Sequence, residues 1–299
     1  RDRYVELTRG RALVFMILMT VAAVFEAQAV MPWQVKWHNE TADTTKITRL
    51  LIEGQKTGLQ KGDLVGWFGE QFIDTPYVSG TLESEDGKEW LTVNLDQLDC
   101  TTFVENVLAL TLTIGEGRTA WQDYLHNLES VRYRQGEMDG YGSRLHYISD
   151  WIVDNSHRGN FKEATDRVPG IGYTVKTLDF MTKHRDKYAA LADSATFERI
   201  KNTEIGYRSH RFPYVKSGAL MGRAPSKWLK HGDIVTFTTK VPGLDVSHVG
   251  IIVMENGEAR LLHASTKAGK VVMEKGQLGE YFKKNPSLTG LRIIRMEDR

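Results

Sequence analysis

The dipeptide Asn256-Gly257 constrains this 299-residue chain more than any other, because both residues tolerate a left-handed backbone and strand-like runs flank them on either side. A two- or four-residue loop centred there pairs Glu255 with Glu258 and, further out, Gly250 with His263 and His248 with Ser265. His248 and His263 then share one face of a hairpin as diagonal neighbours, about 7–8 Å apart at the backbone and closer at the side-chain tips. A loop one residue longer would place them on opposite faces. Val249, Ile251, Leu261 and Leu262 around them imply burial. A lone strand histidine is ordinarily a core side chain bonded to a backbone carbonyl. Two on one face point instead to a site.

A second feature supplies that site with a nucleophile. Cys100 is the only cysteine, so it forms no disulfide within the chain, and it opens an apolar run in which Phe103, Val107 and Leu110 recur at helical spacing. Asp99 reads as the N-cap and Cys100 as the first helical residue. At that position the helix dipole and unpaired N–H groups favour the thiolate that nucleophilic chemistry requires. The bland alternative is a free cysteine packed as a small hydrophobe.

The N-terminal pattern bears on this choice. Arg1, Arg3, Arg9 and Arg11 precede an uninterrupted, mostly apolar stretch at 12–25, followed by Ala27-Gln28-Ala29. This reads as a secretory signal peptide over 1–29, cut after Ala29, and the apolar stretch is too short to span a bilayer. The mature protein is expected to be periplasmic or secreted, without a stable membrane span. An unpaired cysteine in such a compartment is better explained by catalysis. Removing 1–29 leaves basic and acidic residues in equal number, which offers nothing to nucleic acid. No obligate protein partner is expected.

Residues 30–299 are expected to form one domain, because no repeat, low-complexity tract or Pro/Ser-rich linker marks a boundary. Helices are expected at 44–58, 63–72, 100–113, 121–134 and 144–155, forming a helical half over about 44–160. The stretch at about 161–230 is weakly patterned and polar, and reads as a helical or irregular insertion. Strands at 233–237, 248–254, 259–265, 270–273 and 291–295 follow, making a β-sheet half over about 231–296. The fold class is α+β, helices first and an antiparallel sheet after. His126, His157, His184, His210 and His231 fall in polar segments and read as surface residues.

Cys100 as nucleophile, His248 as general base and then acid, and His263 as the group that orients His248 make a complete arrangement for acyl transfer. Zinc is the competing use of cysteine and histidine, but closely spaced ligand pairs such as Cys-x-x-Cys are absent from the sequence. Neither metal nor cofactor is expected.

Several segments together resemble the NlpC-type papain-like bacterial cell-wall hydrolases. They are Thr75-Pro76-Tyr77-Val78 with Gly80 and Glu83, Leu98-Asp99-Cys100 with Thr102-Phe103-Val104-Glu105, Gly232-Asp233-Ile234, His248-Val249-Gly250-Ile251 and Leu262-His263-Ala264-Ser265. The nearest branch in pattern is the N-acetylmuramoyl-L-alanine amidase-like one, whose segment with Arg144, His146, Tyr147, Asp150 and Trp151 is also present. The resemblance spans about 44–295. It implies a papain-like α+β fold with the nucleophile at a helix start packed on an antiparallel sheet. It further implies action on peptidoglycan fragments, hydrolysing the amide between muramic acid and L-alanine, with anhydro-muropeptides as candidates. A γ-D-glutamyl endopeptidase or acyltransferase using the same residues, and a non-catalytic murein-binding module, are the alternatives. Tyr77 is expected to help the Cys100 N–H hold the oxyanion, or else to be a turn residue packed on the core. Arg144, His146, Tyr147 and Asp99 are expected to border the substrate, Arg144 clamping a carboxylate. A solvated helix face for the first three, and simple capping for Asp99, are the other readings.

Overall fold

The structure, a computed structural model, describes residues 34–297. The segment read as a signal peptide lies outside the described residues. Among those residues no helix is long and apolar enough to cross a membrane.

The first half is built from helices around a short parallel strand pair. Strand β1 (Val35–Trp37) precedes α1 (Glu40–Thr57), which starts where the Asn39 side chain accepts the Ala42 N–H and stops at Gly58. Helix α2 (Lys61–Glu70) follows, and β2 (Leu91–Val93) pairs with β1. Helix α3 (Cys100–Gly115) is started by a reciprocal cap: the Asp99 carboxylate accepts the Thr102 N–H at 2.8 Å while the Thr102 hydroxyl accepts the Asp99 N–H at 2.9 Å. Phe103, Val104, Val107, Leu108, Ala109 and Leu110 are all essentially fully buried, so α3 is apolar nearly all round and sits at the centre of the molecule. Each such side chain is worth about 1.5–3 kcal/mol of burial. Helices α4 (Trp121–Arg132) and α5 (Ile148–Arg158) complete this half.

The remaining elements are mostly strands: β3 (Lys162–Glu163), β4 (Ile171–Val175), α6 (Phe180–Lys183), α7 (Ser194–Gly206), β5 (Arg211–Lys216), β6 (Ile234–Thr239), β7 (Val246–Glu255), β8 (Glu258–Ser265), β9 (Lys270–Met273), α8 (Leu278–Lys284) and β10 (Leu288–Arg295). They form one antiparallel sheet in the order β4-β5-β10-β6-β7-β8-β9, with β3 on the far end of β10. The chain is therefore α+β with a mainly helical first half. Ile251 and Leu262 face Gly69 of α2 and Phe103 of α3. Ile252 and Leu261 point the other way, into a second core with Phe237, Ile293 and, from α8, Leu278 and Phe282. Both faces of the central strands are thus covered.

The hairpin forms as its turn dictates. Glu255 pairs with Glu258, the register runs to Ile251 with Leu262, and Asn256 and Gly257 both take positive φ, at 51° and 76°.

Three expectations differ from the structure. The 161–230 stretch is not simply helical or irregular: it supplies β3, β4 and β5 to the main sheet. β4 lies at the sheet edge with Tyr173 and Val175 about half exposed, so its alternation is too weak to read, and Pro213 interrupts the β5 pattern. That proline lies outside the β5–β10 ladder, which joins only Val215 and Lys216 to β10. The helix expected from 144 starts at Ile148, because Arg144 bridges Tyr133 and the Leu145 N–H donates to the Arg132 carbonyl. Finally, His231 and His210 are not plain surface residues. His231 accepts the Met254 N–H and packs on Gly66, and His210 lies against the rings of Tyr207 and Phe212.

Candidate active site

Cys100 is the first residue of α3 and half-buried. Beside its sulfur lie the Val249 N–H of β7, the Thr101 hydroxyl and its own N–H, each of which would bond a thiolate there. The Val249 contact is a product of the hairpin. By the alternation of a two-residue hairpin the Val249 N–H points toward β8, but the β7–β8 ladder stops at Ile251 and Leu262. The unpaired N–H is left for the sulfur.

These bonds favour the thiolate, as a helix start should. Burial opposes them more strongly and the Asp99 carboxylate adds to it, so the thiol is pushed up to about 11. The resting sulfur is a protonated thiol, in contrast to the thiolate expected from helix position alone.

The residue next to Val249 is His248. Its Nε2 lies 2.6 Å from Nδ1 of His263, and the two rings meet edge to face. The diagonal placement expected from the turn therefore becomes a direct hydrogen bond. Nε2 of His263 lies in turn 3.0 Å from a carboxylate oxygen of Glu274. The step from His263 to Glu274 repeats the diagonal on the next strand pair, where His263 faces Val272 and Glu274 donates its backbone N–H to the Leu261 carbonyl. Burial holds His248 down to about 3, and the neighbouring His263 adds to the effect. His263, 2% exposed, is also lowered by burial, partly offset by Glu274. Tyr281 of α8 stacks on His248 and meets His263 edge-on. His248, His263, Glu274, Tyr281, Lys267 and Lys284 border an open cavity of about 450 Å³.

Tyr77 lies in an extended segment pinned between Leu98 and the Gly269 carbonyl. Its hydroxyl is bonded to Thr266, and burial followed by the charges of Cys100 and Asp99 raises its pKa. It is therefore a neighbour of the sulfur.

Arg144, His146 and Tyr147 form a separate group. The Arg144 guanidinium, 6% exposed, meets Glu83 at 2.7 Å and Glu89 at 3.4 Å and lies over the Tyr141 ring. His146 Nε2 donates to the Tyr141 carbonyl at 2.9 Å, and burial together with Arg144 pushes the ring down to about 3. The Tyr147 hydroxyl donates to Glu204 at 2.6 Å and accepts the Met181 N–H. Each of these three side chains is engaged by the protein itself.

Glu274, Tyr281 and Thr266 were not legible as site residues. Glu274 lies one residue beyond the strand read at 270–273, and carrying the pairing past Ser265 with Lys270 would have found it. Tyr281 had a fainter signal, the Leu278/Phe282 spacing of a short helix. Among the described residues no cluster of three His, Cys, Asp or Glu side chains is arranged to hold a metal ion.

An α+β chain whose one cysteine starts a central helix against a sheet-borne histidine pair has the makings of a hydrolase. Comparison with known proteins agrees at that level: residues 67–291 match the AmiA-like, or N-acetylmuramoyl-L-alanine amidase-like, family. The chain belongs to that family. A solved N-acetylmuramoyl-L-alanine amidase from Bacteroides uniformis is 36% identical, with a TM-score of 0.74 over 79% of this chain and 99% of that one. A Bacteroides fragilis protein provisionally named a xylanase is 40% identical, with a TM-score of 0.71 over 77% of this chain and 99% of that one. Protein LPG0564 of Legionella pneumophila, at 20% identity and a TM-score of 0.64 over 87% of this chain and 98% of that one, shares the fold. A comparison with curated proteins gave no match.

Proposed function

We propose that this protein is a cysteine-dependent N-acetylmuramoyl-L-alanine amidase acting on peptidoglycan fragments, with anhydro-muropeptides as the favoured form. The observation that carries the reading is the Cys100 sulfur on the Val249 N–H, one residue from a His248 already bonded to His263. In this reading the order of helix-borne cysteine and sheet-borne histidines is papain-like. His248 takes the proton from the Cys100 thiol as the sulfur attacks the lactyl carbonyl carbon. The Cys100 N–H and the Tyr77 hydroxyl hold the oxyanion. Collapse breaks the C–N bond, and His248 passes its proton to the departing L-alanine amine. His248 then deprotonates a water that attacks the thioester, releasing the muramic acid carboxylate and restoring the thiol.

Burial keeps both the thiol and the imidazole neutral at rest, so in this reading the proton moves as the sulfur attacks. A buried imidazole held down to about 3 is a poor resting base but, once protonated, a strong acid toward an amine. Arg144, His146, Tyr147 and Asp99 are the residues proposed to border the substrate, although the first three are held by partners within the protein and Asp99 caps α3. A xylanase activity, the name one neighbour carries, would call for two carboxyl groups flanking the scissile bond. Here Glu274 is committed to His263. The arginine-led, apolar N-terminal pattern supports a periplasmic or secreted location for a single domain over 30–299.

The test is mass spectrometry of muropeptides, and of xylan, incubated with the purified protein beside a Cys100→Ala control. Release of an intact peptide beginning at L-alanine, lost in the control, is expected. Cleavage within the peptide would make it an endopeptidase, and products unaffected by Cys100→Ala would overturn the thiol mechanism.

A further inference from the structure

The polar chain along β7, β8 and β9 does not end at the histidine pair. His248 Nε2 meets His263 Nδ1 at 2.6 Å, and His263 Nε2 meets a Glu274 oxygen at 3.0 Å. A carboxylate oxygen only accepts, so the proton of His263 must sit on Nε2. Nδ1 of His263 is then a bare acceptor. Among the described residues the only group offered to it is His248 Nε2, which must therefore carry the proton of that ring, leaving His248 Nδ1 with a free lone pair. We infer that Glu274 is the positioning residue that sets the tautomers of both histidines and thereby leaves His248 with one basic nitrogen for the Cys100 proton.

The inference rests on the thiol-hydrolase reading of this site but names a residue outside the cysteine and its two histidines. Its logic follows from bond direction. If His263 carried its proton on Nδ1, that proton would be donated to His248 Nε2. The His248 proton would then be forced onto Nδ1, where it blocks removal of the thiol proton. One acceptor at the far end of the chain decides between these states, as a carboxylate does for the histidine of a serine hydrolase triad. The local structure suits the role. Glu274 is tied by its backbone N–H to the Leu261 carbonyl, so its side chain leaves the sheet at a set point. Its carboxylate is one third exposed and so stays in contact with solvent at the outer end of the chain. Tyr281 lies across both imidazoles, which limits rotation of either ring.

The experiment compares wild type with Glu274→Gln and Glu274→Asp, all as the full chain. Glutamine keeps size and polarity, but its amide can either accept from or donate to His263, so the tautomer is no longer dictated. ¹⁵N NMR of the histidine rings is expected to show His263 with a bare Nδ1 in wild type and a mixed state in Glu274→Gln. Because Cys100 is the only cysteine, alkylation by iodoacetamide reads the thiol–His248 pair without any substrate. Alkylation and kcat are both expected to fall at least about tenfold in Glu274→Gln, with KM unchanged and partial recovery in Glu274→Asp. Thermal unfolding is expected to be near wild type, since the carboxylate is partly exposed.

A wild-type His263 carrying its proton on Nδ1, or an unchanged alkylation rate in Glu274→Gln, would overturn the inference. A Glu274→Gln variant slowed in alkylation, in a protein that cleaves no muropeptide, would keep the inference and remove the amidase reading.

Discussion

Around Arg144 a buried guanidinium is met by two glutamates and the face of Tyr141, whereas along β7, β8 and β9 two imidazoles are held neutral and bonded in line to one half-open carboxylate. The first network matches charge with charge and closes on itself. Such a network makes a rigid wall, and removing one member strands another. The second keeps charge away from its middle and has a direction, running from His248, the neighbour of Val249, to a carboxylate that reaches solvent. Neither imidazole in it is committed to a charge.

Several experiments would break or sharpen that contrast. The largest expected effect is on stability, from Arg144→Met. It leaves Glu89, 2% exposed, without its cation and should cost about 3–5 kcal/mol in denaturant unfolding. A raised KM in a protein of unchanged stability would instead make Arg144 a substrate clamp. Tyr77→Phe comes next: if its hydroxyl holds the oxyanion, kcat should drop about a hundredfold with little change in KM. An unaltered kcat would leave Tyr77 as a packing residue bonded to Thr266.

Acidification should act on both networks through their histidines. His248 and His146 are each held down to about 3 against an ordinary 6.5, so the unfolded chain takes up protons that the native one refuses. Their contribution to stability is complete above about pH 6.5 and is lost as pH falls toward 3, by up to about 1.4 kcal/mol per pH unit for each histidine. Asp43, Glu89, Glu105 and Asp233, raised by burial, pull in the opposite sense at the acid end. The informative quantity is therefore a difference: His146→Gln should show a shallower fall of Tm between pH 6.5 and 5 than wild type. Parallel slopes would mean that His146 titrates normally. The smallest effect is expected from Asn256→Ala, about 1 kcal/mol from the left-handed turn residue. Activity should survive it, because burial on both faces also holds the register.

Much of the sheet was legible because local rules act there. The Asn256-Gly257 turn and the alternation around it specify which residues of β7 and β8 face each other, and that alone aligns His248 with His263. The start of α3 was legible for the same reason, since Asp99 and Thr102 cap it within one turn. β4 and β5 were not, because an edge strand with half-exposed side chains and a proline-bearing neighbour carry no apolar alternation.

What the sequence by itself determined, then, is where the cysteine helix begins, how the hairpin pairs, and that the chain is α+β, because capping, turn geometry and alternation act over a few residues. The tertiary structure decided the rest of the site. It put the Val249 N–H on the Cys100 sulfur, Glu274 at the end of the histidine chain and Tyr281 across the rings. It also buried Arg144 between two glutamates and pushed the thiol up rather than down. Burial and long-range polar contacts belong to the whole fold, and no local pattern reports how much water a side chain will lose.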